Sequence, residues 1–231
     1  ARASKPQAAP PAQRSRRRGP RQLRSDAPCD VLVMQLAEMG SMVLAMPALE
    51  ELRARIPGLR LHFLVMKESR ALIDAMQLAP AERVHALDFS GPAAAVRSLW
   101  TALRACRRAK LAATLHFDFF ARGHAAFAAL ACPSGERAGF DNGRHDARRA
   151  LLTRPVMYSA HHHTAEMIVV LVRSLFLDEA DAPFARIPRV EVGQLPAYRA
   201  ENKTVDAVRK KLGALADRPL LLVNANASER L

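Results

Sequence analysis

The residues able to do chemistry in this chain gather where apolar runs end. Glu38, Met39, Gly40 and Ser41 follow directly on the run Val31–Leu36. A carboxylate can take up a proton during a reaction, whereas an unactivated serine hydroxyl has no useful pKa for that work near neutral pH. Glycine lets backbone amides approach a bound group closely, and amides at a helix start attract phosphate and other anions. His116 and Asp118 stand two residues apart at the end of another apolar run. Strand alternation puts both on one face, where a His–Asp pair can orient a hydroxyl. Arg137, Arg144, His145 and Arg148 make a basic group, and guanidinium forks match carboxylates and phosphates. Each set also has a plainer reading: Glu38 as a helix cap, Gly40 as an ordinary turn, His116 and Asp118 as a surface pair, the basic group as a solvated loop. The triplet His161-His162-His163 points three ways and does not make one metal site unaided, so no metal is expected.

The elements that must position these groups alternate. Val31–Leu36 reads as a strand covered on both faces. After the glycine turn, Ala45, Leu49, Leu52 and Ile56 recur on one helical face, with Pro47 starting or kinking that helix and Pro57-Gly58 ending it. Strands are expected at 59–66, 84–89, 111–117 and 136–140, and helices at 68–78, 92–108 and 121–131. The helix at 92–108 carries an apolar stripe of Val96, Leu99 and Leu103 and a basic end suited to its C-terminus. Residues 141–163 read as a polar loop, Thr164 as the cap of a helix reaching Leu177, 178–199 as a linker, 203–215 as an amphipathic helix and 220–223 as a buried strand. The alternation predicts an α/β fold: a Rossmann-like, doubly wound parallel sheet with helices on both faces. In such sheets ligands sit at the carboxyl ends of the strands, where Gly40 falls.

The segment Gly40-Ser41-Met42-Val43-Leu44-Ala45-Met46-Pro47-Ala48-Leu49 resembles the N-terminal signature of family 9 glycosyltransferases, the group of the ADP-heptose:lipopolysaccharide heptosyltransferases. In that signature Gly-Asp precedes a few apolar residues, small residues and Pro-Ala-Leu. The family's aspartate, its usual candidate base, falls on Ser41, so Glu38 is the replacement candidate. The resemblance implies the N-terminal, acceptor-side domain of a two-domain GT-B fold. It further implies an inverting, metal-independent transfer of heptose or a related sugar to a lipopolysaccharide-type glycolipid, with no cofactor beyond the nucleotide-sugar substrate, ADP-heptose foremost. Met39 and Gly40 would face that substrate. His116 falls on the strand end where family members often place an acid. Arg137, Arg144 and His145 would meet acidic acceptor sugars and phosphates. The other reading is a glycosyltransferase-like binding module without turnover.

Composition is compatible with this and narrows the partners. The chain has 231 residues, half of them apolar and few aromatic, so an aliphatic core is affordable. No run of about 20 uncharged apolar residues appears, and the first segment lacks the apolar stretch of a secretory signal. Cys29, Cys106 and Cys132 lack metal or redox spacing, which fits a reducing cytoplasm. About half of the +13 net charge sits in residues 1–28, which hold eight basic groups against Asp26. That basic arm reads as disordered. Arg14–Arg18 could touch anionic headgroups or nucleic acid, though a solvated tail is the simpler view and nucleic acid is not the expected partner. The expected organisation is an arm at 1–28, a Rossmann-like domain at 29–195, and the first elements of a truncated donor domain at 196–231. A protein so built would be cytoplasmic and peripheral to the inner membrane face, and this piece alone would be inactive.

Overall fold

The computed structural model describes residue 23, residues 28–36, 39–119, 122–143, 147–177, 186–189 and 200–219, and residue 221. The chain divides into two compact units, Ala1–Pro196 and Ala197–Leu231.

The first unit is built on a parallel sheet. β1 (Cys29–Gln35), β2 (Leu59–Met66), β3 (Val84–Leu87), β4 (Ala113–His116), β5 (Glu136–Asp141) and β6 (Arg154–Met157) lie in the spatial order β3-β2-β1-β4-β5-β6. Every pairing is parallel, with Cys29 opposite Leu59, Val31 opposite Ala113, and Ala138 opposite Arg154. β1 is central and wholly buried, as a strand covered on both faces must be. Its side chains alternate between two cores. Val31 and Val33 join α2 (Met46–Arg55), α3 (Arg70–Ala75) and α7 (Thr164–Ser174) on one face. Leu32 and Met34 join α4 (Pro92–Ala109) and α5 (Arg122–Ala131) on the other.

The helix after β1 comes in two pieces. α1 (Met39–Leu44) stops at Ala45, and Pro47 sits in the first turn of α2, where a missing amide costs nothing. Ala45, Leu49, Leu52 and Ile56 are all buried, as their spacing predicts. The most enclosed helix is α7; Glu51 on α2 takes Arg173 of α7 in a forked pair at 2.9 to 3.1 Å. Across the sheet's other end, Asp30 accepts from Arg60 and from His62 at 2.9 Å, and His62 reaches His85 at 3.3 Å. Burial alone would raise the Asp30 carboxyl, but its bonds to Arg60 and His62 outweigh that and hold it below the usual range.

Three expectations need correction. The polar stretch 141–163 is not simply a loop: it contains α6 (Ala147–Leu151) and β6. A four-residue strand with Pro155 inside it shows little strand signal, and proline is tolerated there because β6 is an edge. On α4 the covered side is Ala102 and Cys106 with Leu99 and Leu103 partly buried, while Val96 is 69% exposed. The cap of α7 is His163, not Thr164: its Nδ1 accepts from the Ala165 amide at 3.2 Å and Glu166 accepts from the His163 amide. The expected linker lies outside the described residues except 186–189, as does the strand at 220–223 except Leu221, which is exposed and not in a strand. In the second unit α8 (Asn202–Leu212) continues into a short 3-10 turn, Gly213–Leu215. Among the described residues no helix is long and apolar enough to cross a membrane.

Candidate functional site

The strand order reverses direction at β1: one connection leads outward to β2 and β3, and α4 carries the chain back across to β4. Ligands of open α/β sheets bind at such a switch point, outside the carboxyl ends of the strands. Here those ends are Gln35-Leu36 of β1 and Phe117-Asp118 after β4.

The two ends are stapled together. The Phe117 amide donates to Met34 O at 3.0 Å, and Asp118 then reaches back with its side chain. Its carboxylate accepts from the Leu36 amide and from Gln35 Nε2, both at 2.5 Å. His124, in the first turn of α5, adds its Nε2 at 3.3 Å. His116 lies beneath, its Nε2 3.3 Å from Thr114 Oγ1 and its ring edge-on to His124 with centroids 6.5 Å apart. Burial pushes the His116 imidazole down to about 3, with His124 and Arg148 adding to the effect. Burial also lowers His124, against the pull of Asp118. Both rings are therefore neutral at physiological pH. Gln35 Oε1, His116 Nδ1 and His124 Nδ1 are buried with no hydrogen-bond partner among the described residues, so the layer beneath these strand ends has unspent polar capacity.

The neighbouring rim is aromatic. Phe119 stacks on Phe140 at 5.0 Å, and Tyr158 meets both edge-on at 4.8 and 5.8 Å, so the ends of β4, β5 and β6 are closed by rings. Asp141, at the end of β5, pairs with Arg149 at 2.6 Å and caps the Gly143 amide. Among the described residues no group of three or more His, Cys, Asp or Glu side chains converges as a metal site.

No protein-family model matches the chain, and neither does any curated protein sequence. Solved structures do. Escherichia coli heptosyltransferase WaaC with ADP superposes with a TM-score of 0.53 at 18% identity, over 70% of this chain and 49% of that one. E. coli ADP-heptose lps heptosyltransferase II gives 0.57 at 15% identity, over 80% and 50%. A family 9 glycosyl transferase from Veillonella parvula gives 0.53 at 17% identity, over 71% and 45%. The chain has the fold of the GT-B heptosyltransferases. It spans about half the length of these structures.

Within this heptosyltransferase-like fold the expected site residues part company. Met39 opens α1, and Gly40 is exposed in its first turn, with no other side chain or strand among the described residues within 4 Å of where a Cβ would stand. Ser41 is buried in the same helix. Glu38, Arg144 and His145 lie outside the described residues. His116 and Asp118 are not a surface pair: both are buried, at the carboxyl ends of β1 and β4. Arg137 does not belong to the basic cluster at this rim. It is the second residue of β5, at the opposite, amino edge of the sheet, and its guanidinium donates to Leu151 O at 2.8 Å, Cys132 O at 3.0 Å and Gly135 O at 3.2 Å. Arg148 is buried on α6, close enough to depress both His116 and His124. His162 and His163 spend their capacity around Glu166 and the start of α7. Sequence reading passed over His124. Its signal was available: His124, Ala128 and Ala131 share the covered stripe of α5.

Proposed function

We propose that the protein is a glycosyltransferase that moves a heptose or related sugar from a nucleotide-sugar donor to a lipopolysaccharide-type glycolipid, with inversion and without a metal. The observation that carries this reading is the 3-2-1-4-5-6 sheet order with a glycine-bearing helix start at its switch point, in a fold shared with heptosyltransferases. One of those neighbours is described with ADP and with ADP-2-deoxy-2-fluoro heptose, which supports ADP-heptose as the donor here.

In this reading Glu38 takes the acceptor hydroxyl proton, the freed oxygen bonds to the anomeric carbon, and the bond to the diphosphate breaks as ADP leaves. Met39, Gly40 and the amides opening α1 lie along the sugar or diphosphate. Asp118 and His116 hold the crevice in shape from below, and Arg144 and His145 meet the acidic acceptor. Arg137, committed to backbone carbonyls, has no part. A lipid acceptor places the protein in the cytoplasm at the inner membrane surface.

The test is transfer from ADP-heptose to a Kdo-terminated lipid acceptor by the full-length protein. Glu38→Gln is expected to lower turnover at least about 100-fold, the scale of a general base; unchanged turnover removes Glu38 from the mechanism. A second reading, a binding module without turnover, draws on the burial of Ser41 where the family resemblance places an aspartate. Acceptor binding by calorimetry with no transfer under any condition would favour it.

A further inference from the structure

α4 is anchored on one side and bare on the other. Leu99, Ala102, Leu103 and Cys106 pack onto the sheet beside Leu32 and Met34. The outer side presents Val96 and Trp100, 69% and 61% exposed, among the exposed Arg97, Arg104, Arg107 and Arg108. At about 100° of rotation per residue these six fall within one arc of about 120°. The helix carries no acidic residue over its 18 positions. Among the described residues none of the four arginines has an ion-pair or hydrogen-bond partner. Phe89, three residues ahead of the helix, is 52% exposed.

A solvated charge run accounts for the arginines but not for a tryptophan and a valine in their midst. A nucleic acid would use the arginines and could stack on the indole and on the Phe89 ring, yet it offers Val96 nothing. An anionic lipid surface uses all of them. Indole sits well at the headgroup level with its body apolar and its N–H wet, valine enters the acyl boundary, and arginine stems lie along apolar surface while their heads reach phosphates. We propose that the outer face of α4 is the surface by which the protein docks on an anionic bilayer.

This deepens the membrane-surface part of the proposed function and does not depend on the sugar chemistry. It also sets an orientation. α4 runs antiparallel to the strands, so its first turn lies on the same rim as Gly40. With the helix, about 27 Å long, lying in the plane of the membrane, the crevice opens along the surface, where a lipid-anchored acceptor can enter without leaving the bilayer.

Trp100 is the only tryptophan in the chain, so its emission reports on this face alone. The whole chain is titrated with vesicles of phosphatidylcholine, and of phosphatidylcholine with one-third phosphatidylglycerol. A blue shift, and quenching by brominated acyl chains, are expected with the anionic vesicles only. Arg104→Gln with Arg107→Gln and Arg108→Gln should weaken partition by well over tenfold, at about fivefold for each cation lost at an anionic leaflet. Trp100→Ala with Val96→Ser should weaken sedimentation with the vesicles by about tenfold. Arg16→Gln, Arg17→Gln and Arg18→Gln together should leave the Trp100 signal in place. Unmoved Trp100 emission on vesicle binding, loss of binding with the arm variant but not the α4 variants, or a shift with single-stranded RNA and none with vesicles each overturns the proposal. Transfer to a lipid-free acceptor by the full-length protein is a separate readout. Transfer without docking sinks this surface alone, and docking without transfer sinks the activity alone.

Discussion

The carboxylate of Asp118 accepts the backbone amide of Leu36 from 82 residues earlier in the chain, at 2.5 Å. With Gln35 Nε2 and His124 on the same carboxylate, the exits of the two strands at the switch point are held in fixed relation. Asp118→Ala leaves a half-buried amide and a buried carboxamide without their acceptor. It should cost about 1–3 kcal/mol per orphaned group at worst, read as a lower urea midpoint, and should lower transfer because the crevice walls are no longer tied. Asp118→Asn keeps one acceptor oxygen and should fall between. A wild-type midpoint for Asp118→Ala would show that the staple contributes nothing.

Gly40 separates folding from function. Among the described residues nothing beyond its own helix backbone and chain neighbours lies within 4 Å of its missing Cβ, and its φ is not positive, so the described fold does not require glycine there. Gly40→Ala should hold or raise stability, by up to about 1 kcal/mol from helix propensity, while lowering transfer if backbone must approach the substrate. A thermal melt beside a rate measurement checks both halves. Equal rates for the two proteins would mean that no ligand comes close at this turn.

The opposite holds for Gly135. A Cβ there would stand 2.3 Å from Cys132 Sγ and 2.5 Å from Ala112 O. The sulfur could swing aside, but the carbonyl belongs to the chain entering β4 and cannot. Gly135→Ala should destabilise by about 1–3 kcal/mol, the range for overpacking, measured as a shift in denaturant midpoint at constant m-value. A shift below a few tenths would mean that this corner relaxes freely.

Acid should unfold the protein earlier than its carboxylates alone would dictate. Burial, with a smaller contribution from His124 and Arg148 in the first case and from His62 in the second, depresses His116 to about 3 and His85 to about 4. In the unfolded chain both take up protons near 6.5. The unfolded state therefore binds more protons over that interval, and stability rises with pH through it. It is full above about 6.5 and declines as pH drops, at up to about 1.4 kcal/mol per unit for each histidine, the slope easing near 4 and then near 3 as each ring charges in the folded state. Denaturation midpoints at a series of pH values should show this slope, and His116→Gln should remove one proton's share of it. A flat profile between pH 6 and 4 would contradict the buried, neutral state of both rings.

Much of the scaffold was legible before any coordinates. Leu59–Met66 was readable to the residue as a strand, and the Ala45, Leu49, Leu52, Ile56 stripe is buried as spaced. What escaped was short or edge structure. β6 has four residues and a proline, too few for any period to show. Arg154 in it reads as a loop residue by composition, yet it is buried because Glu136 and the Leu177 carbonyl take its donors at 3.0 and 2.7 Å. Val96 was misplaced for a related reason: alanine and cysteine cover the sheet on α4, and a hydrophobicity scale gives the larger valine precedence.

The alternation of apolar runs and amphipathic stretches, with the glycine and proline stops between them, is local information, and it was enough for the order of strands and helices and the two-sided burial of β1. Which strand lies beside which is not local. Pairing is settled by the direction in which each crossover returns, so the switch point between β1 and β4, the reach of Asp118 to Leu36, the neutral His116–His124 floor and the diversion of Arg137 to the far edge exist only once distant segments have met and must satisfy each other's buried polar groups.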